Sequence, residues 1–115
     1  MIHQIVFKGE EGRVSWNILH VHSKQQELTI QMTGENSEQR LSVPFDMYDA
    51  FIRQFARVHE SLQGEVVFEQ GAMRLHLRYD RLGRVFISWS DGITSQAFRS
   101  DQSYLSEALA QLGVY

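Results

Sequence analysis

Hydrophobic and polar positions along this chain follow two periods in turn. Residues 27–33 (ELTIQMT) alternate cleanly, with Leu28, Ile30 and Met32 on one face and Thr29, Gln31 and Thr33 on the other. That period of two predicts an antiparallel strand buried on one side. Residues 2–7 (IHQIVF) predict a strand before it, and KGEEGR (8–13) a turn with two glycines. Residues 14–22 (VSWNILHVH) carry apolar side chains on both faces, which suits a central or doubly covered strand. GENSEQ (34–39) predicts a polar loop. The period then changes: Tyr48, Phe51, Ile52, Phe55, Val58 and Leu62 recur at steps of three and four, one stripe of a helix over about 47–62. Asp46, following Pro44-Phe45, is the expected N-cap. Asp49 suits the first turn and the i,i+4 pair Asp49–Arg53, and Gly64 is the expected stop.

Gly71-Ala72 separates two further runs, EVVFEQ (65–70) and MRLHLRY (73–79), as a two-residue hairpin turn does. That turn sets Glu69 opposite Arg74 and Glu65 opposite Arg78 on one face, with Phe68–Leu75 and Val66–Leu77 on the other. A three-residue turn at Arg81-Leu82-Gly83 then aligns Tyr79 with Val85, Leu77 with Ile87 and Leu75 with Trp89. After Asp91-Gly92, residues 93–99 (ITSQAFR) predict a more polar strand near an edge. Asp101 or Ser100 caps a last helix over about 102–112, striped by Tyr104, Leu105, Ala108, Leu109 and Leu112 and ended by Gly113. The expected order is β-β-β-α-β-β-β-β-α: an α+β fold of about seven short strands in antiparallel sheets with two covering helices, one domain over residues 1–115. No internal repeat is visible in the sequence.

Composition narrows the chemistry. The chain has 115 residues, 43% hydrophobic, enough to fold around its own core. It has no cysteine, which excludes thiolate catalysis, disulfides and cysteine-ligated zinc. The net charge of −3 is unlike the basic balance of a nucleic-acid binder. The acidic bias sits in residues 1–69, with 10 acidic against 6 basic side chains. There is no apolar run of membrane-spanning length, and MIHQIVFKGEEG lacks a signal-peptide core, so the expected location is the cytoplasm.

No P-loop, GxGxxG, HExxH, EF-hand or GxSxG pattern is present. His20 and His22, two apart in a strand, share a face and are the candidate metal pair, though a site needs a third donor. Glu10-Glu11 read as solvated turn residues. Most aromatics fall on core stripes. Arg74, His76, Arg78 and Phe86 share a mixed face, whose alternative reading is a surface buried against a second copy. Neither an enzyme site nor a cofactor is expected.

Residues 82–112, LGRVFISWSDGITSQAFRSDQSYLSEALAQL, carry a more specific signal. Gly83-x-Val85, Phe98-x-Ser100, then Asp101-Gln102-Ser103-Tyr104-Leu105 opening a helix, resembles the C-terminal block of the WapI-type immunity proteins of bacterial polymorphic toxin systems. The resemblance implies a non-catalytic protein that binds and neutralises a cognate toxin domain, often a nuclease. It implies no catalytic residues; no cofactor, nucleic-acid partner or membrane is expected. An acidic surface that steers a basic partner is then expected, with Glu35, Glu38, Asp49 and Glu60 as candidate contacts.

Overall fold

The computed structural model describes residues 3–113. The expected strand over 2–7 therefore begins, among the described residues, at His3. Four strands come first: β1 (His3–Lys8), β2 (Arg13–His22), β3 (Glu27–Thr33) and β4 (Glu38–Pro44), followed by helix α1 (Phe45–Ser61). Then come β5 (Gly64–Gln70), β6 (Met73–Tyr79), β7 (Arg84–Ser90), β8 (Ser95–Asp101) and helix α2 (Gln102–Gln111). Each group of four is an antiparallel meander in chain order. The fold is α+β as the pattern predicts, with eight strands rather than seven.

The added strand is β4. Gln39, Leu41 and Val43 turn inward, but only Val43 is buried. An edge strand with one fully buried residue is hard to separate from a loop by pattern alone. Because β4 runs to Pro44, the helix starts one residue later with Pro44 at its N-cap position and no side-chain cap. Asp46 is therefore not the cap. The first helical N–H, that of Phe45, bonds instead to the Gln26 carbonyl at 2.9 Å. Asp46 stays exposed in the first turn, where it complements the helix dipole. At the other end Leu62, in the left-handed conformation at φ 57°, closes α1, and Gly64 already belongs to β5. Asp49 and Arg53 form no ion pair among the described residues.

The meander register over 65–90 is the expected one, residue for residue. Strand β2 has apolar residues on both faces because a bulge between Ile18 and His20 changes which face the chain presents. Asp101 caps α2, accepting from the backbone N–H groups of Ser103 and Tyr104 at 3.0 and 3.1 Å.

The fold repeats, although the sequence shows no repeat. Strands β1 and β5 share a burial pattern, with Ile5 and Phe7 matching Val66 and Phe68. Likewise Leu28, Ile30 and Met32 match Val85, Ile87 and Trp89. The helix starts match too: the Gln102 N–H bonds to the Gly83 carbonyl at 3.1 Å, as Phe45 does to Gln26. Both acceptors are left-handed, at φ 79° and 56°.

Each half closes the other. Helix α1 packs against β5, and α2 against β1, so each helix covers the first strand of the opposite sheet. Gln111 Oε1 accepts from the Val6 N–H at 2.8 Å, satisfying a donor on that edge. The last strands are covered by hairpin ends. Glu10 N–H bonds to the Arg99 carbonyl at 3.0 Å, and Ser100 Oγ donates to the Lys8 carbonyl at 2.6 Å. In the matching place, Gln70 Nε2 donates to the Ser42 carbonyl. Between the sheets, Phe7, Trp16, Phe51, Phe55 and Phe68 form one aromatic cluster, Trp16 and Phe68 joining the two sheets at 4.9 Å between centroids. Contacts of this kind add about 0.5–1.5 kcal/mol each beyond area burial.

Close approach at the seam depends on glycine. A Cβ on Gly9 would collide with the Arg99 carbonyl oxygen, and one on Gly12 would lie 2.9 Å from the Phe98 ring. Gly71, by contrast, has open space around it and is glycine for its φ of 61°. Gly9→Ala is therefore expected to lower stability by about 1–3 kcal/mol, the range for overpacking. Gly71→Ala is expected to cost about 1 kcal/mol for its left-handed backbone. Urea unfolding of both variants checks the order; equal small losses would refute a backbone collision at Gly9.

Candidate functional site

The four carboxylates expected to meet a partner do not converge. Asp49 and Glu60 are exposed on α1, three helical turns apart, with Arg53 and Arg57 exposed between them. Glu38 opens β4 and accepts a hydrogen bond from Gln31 Nε2. From there β4 runs about 20 Å before α1 begins. Glu35 alone joins other acids. It stands in the β3–β4 loop, where its N–H bonds to Gln96 Oε1 on β8. That contact brings it to a recess of about 540 Å³ lined by Glu10, Glu11, Glu35, Ala97, Phe98 and Arg99. A neighbouring recess of about 320 Å³ runs from Glu11 and Arg13 to Thr33, Glu35 and Gln96.

This acid-rimmed recess lies on the seam, where the β1–β2 turn and the β3–β4 loop cross β8. Among its lining residues is Phe98, half-buried, with Gly9 and Gly12 packed close to its ring. Glu10 and Glu11, expected only to be solvated, are exposed as predicted, and the fold gives them Glu35 as a neighbour. Sequence reasoning could not supply that neighbour, because Glu35 lies two strands further along the chain.

The adjoining β7–β8 loop is held firmly. The Asp91 carboxylate accepts from Ile93 N–H, Thr94 N–H, Thr94 Oγ1 and Ser37 Oγ at 2.6–3.1 Å. These bonds, the one from Ser37 above all, hold its pKa far below the ordinary carboxylate value. Gln39 also reaches the Asp91 carbonyl at 3.3 Å. The loop so fixed presents Ile93 with 93% of its surface in solvent.

The outer face of the second sheet is uncovered and mixed, as expected for Arg74, His76, Arg78 and Phe86. Arg74 pairs with Glu69 at 3.2 Å. Glu65 stands opposite Arg78 in the register, as expected, but its carboxylate lies 3.6 Å from His76 Nε2. Arg78 instead places its guanidinium 4.9 Å from the Phe86 ring centroid. Serines 88, 90 and 95 and Ala97 leave a hollow of about 360 Å³ beside Arg74 and His76.

His20 and His22 do share a face, with ring centroids 5.0 Å apart, and His22 Nε2 bonds to Thr29 Oγ1 at 2.9 Å. Among the described residues no group of three His, Cys, Asp or Glu is placed to hold a metal ion. His59 is the buried histidine. Its Nδ1 lies 2.6 Å from the Tyr79 hydroxyl and its Nε2 2.9 Å from Ser106 Oγ, which itself donates to the Gln102 carbonyl at 2.8 Å. With the Ser106 proton so committed, Nε2–H donates to Ser106 Oγ, and the neutral ring leaves Nδ1 to accept. The network ties α1 to β6 and α2.

Comparison of the chain with family models, curated proteins and solved structures finds no match. No helix among the described residues is long and apolar enough to cross a membrane.

Burial lowers the pKa of His59 below its ordinary 6.5. The neutral ring is the folded form, so its contribution to stability is complete above pH 6.5 and declines as pH falls below that value. The depressed pKa values of Asp80, Asp91 and Asp101 act in a separate window, their stabilisation being lost below about the ordinary 3.8. Urea midpoints should therefore fall between pH 7 and pH 5 in the native chain. In His59→Gln, less stable at pH 7, that slope should be smaller; an unchanged slope would assign the pH dependence to other groups.

Proposed function

We propose that this chain is an immunity-type protein that acts in the cytoplasm by binding, without catalysis, to a toxin domain and blocking it. The observation that carries the reading is the recess at the seam. Three exposed carboxylates, Glu10, Glu11 and Glu35, gather there beside Arg99 and a half-buried phenylalanine, Phe98. A mostly polar, acid-rich recess of this kind selects and steers a partner of opposite charge. A basic partner, such as a nuclease domain with its substrate-binding face, is the chemistry this rim fits. The Asp91-held loop beside it adds a pre-ordered apolar contact in Ile93, so little entropy is lost on docking. The groups with displaced pKa values support the same reading. Asp80, Asp91 and Asp101 are held by turn and cap hydrogen bonds, and His59 and Tyr48 by burial. Each has a structural explanation. Asp49 and Glu60, interleaved with arginines on α1, lie outside this contact, so Glu35 with Glu10 and Glu11 replaces the wider acidic set.

The test is co-expression with the C-terminal domain of a secreted protein encoded beside this gene. Cells should survive only when this chain is present, and the two proteins should co-elute on size exclusion. The variant Glu11→Arg/Glu35→Arg should bind at least tenfold more weakly, mostly through a slower on-rate, and lose its salt dependence, with its melting temperature kept. Absence of both rescue and complex would end the proposal. Full binding by the doubly reversed variant would move the contact elsewhere.

A further inference from the structure

The uncovered face of the second sheet is self-complementary, and we infer that two copies of this chain associate through it. The register fixes its layout. Across β5, β6, β7 and β8, one outer row reads Glu69, Arg74, Ser90, Ser95; the next Val67, His76, Ser88, Ala97; the third Glu65, Arg78, Phe86, Arg99. The β5–β6 side is large in all three rows. The β7–β8 side is small in two of them, which is what opens the hollow of about 360 Å³ between Arg74, His76 and the serines.

A two-fold axis parallel to the strands, between β6 and β7, turns each row onto itself in reverse. The large half of one copy then meets the small half of the other. Arg74 meets Ser90, and His76 meets Ser88, entering the hollow. In the third row Glu65 meets Arg99, and Arg78 meets Phe86. No like charges are opposed. Arg99 forms no ion pair within one copy among the described residues, and this axis gives it Glu65. The alternative in-plane axis, perpendicular to the strands, sets Glu65 against Glu69 and Arg74 against Arg78, which repels. The roughly 30° between stacked sheets displaces the outermost pairs by a few ångström, within reach of arginine and glutamate side chains.

The area sets the strength. Four strands of seven residues make a face of about 19 by 20 Å, roughly 400 Å² in projection. That is about half the ~800 Å² per partner of a standard stable interface. An interface of that size belongs with weak, transient contacts. Ala97 and Arg99 line the seam recess as well, so the two contacts share the β8 edge, and self-association of the chain alone tests the dimer independently of any toxin.

Sedimentation velocity across about 1–300 μM tests it. The native chain should shift from monomer toward dimer. Ser88→Arg, exposed on the outer face and filling the hollow, should stay monomeric with an unchanged circular dichroism spectrum and melting temperature. Glu65→Arg and Arg99→Glu should each weaken association at least tenfold, and the double variant should recover most of it. Within one copy these two residues stand on the first and last strands, about 14 Å apart, so recovery reports contact across the axis. A native chain that is monomeric throughout overturns the inference. So does unaltered dimerisation by Ser88→Arg, or failure of the double reversal to recover association.

Discussion

Two four-stranded meanders expose four strand edges, and an open edge of unpaired N–H and C=O groups invites another chain. Covering those edges is the constraint on which this structure depends. Each half covers the other half's edges: the helix after one sheet lies against the first strand of the next, and hairpin ends cross the last strand. Because the cover is exchanged, neither half is complete alone. The aromatic cluster shows the same dependence, since Trp16 and Phe68 come from different sheets and Phe51 and Phe55 from the helix between them.

The exchange also explains where glycine is required. At Gly9, Gly12 and Gly34 the need is closeness: a Cβ on Gly34 would lie 2.7 Å from the Trp89 ring. At Gly83 the need is a left-handed backbone that turns a carbonyl toward the first N–H of α2. Gln26 does the same task for α1 with a side chain attached, at a strain of about 1–2 kcal/mol. The seam made in this way is rigid, and it gathers side chains distant in sequence. The acid-lined recess is thus a by-product of closing the edges.

Much of the fold was legible in the sequence because the second half announces itself. A two-residue turn with glycine first leaves one register for β5 and β6, and charge and hydrophobicity agree on it. Strand β4 was not legible, since an edge strand covered by a hairpin end needs few apolar residues, and here only Val43 is buried. The N-cap expectation at Asp46 failed because the helix begins before it, at Phe45, whose N–H bonds to the Gln26 carbonyl, a tertiary contact that no local pattern encodes. The repeat was hidden because what recurs is inward-facing volume rather than residue identity. For the site, the sequence offered the acidic bias of its first part. It named Glu35, but could not tell which acids gather and which, like Asp49 and Glu60, stand among arginines.

The repeat separates frame from function more sharply than the sequence does. Equivalent inward positions keep their character in both halves: Leu28 and Val85, Ile30 and Ile87, Phe7 and Phe68 are all buried. Equivalent outward positions do not. Thr29, Gln31 and Thr33 on the first sheet correspond to Phe86, Ser88 and Ser90 on the second, and Arg40 and Ser42 to Ala97 and Arg99. Folding asks the same of both inner faces, because each must fill one shared core at close packing. It asks nothing of the outer faces beyond polarity and strand propensity. The difference between them is therefore not required by the fold. The outer face of the second sheet, with its arginines, phenylalanine and hollow, is thus left free by the fold to differ from the first, separately from the seam that both halves build.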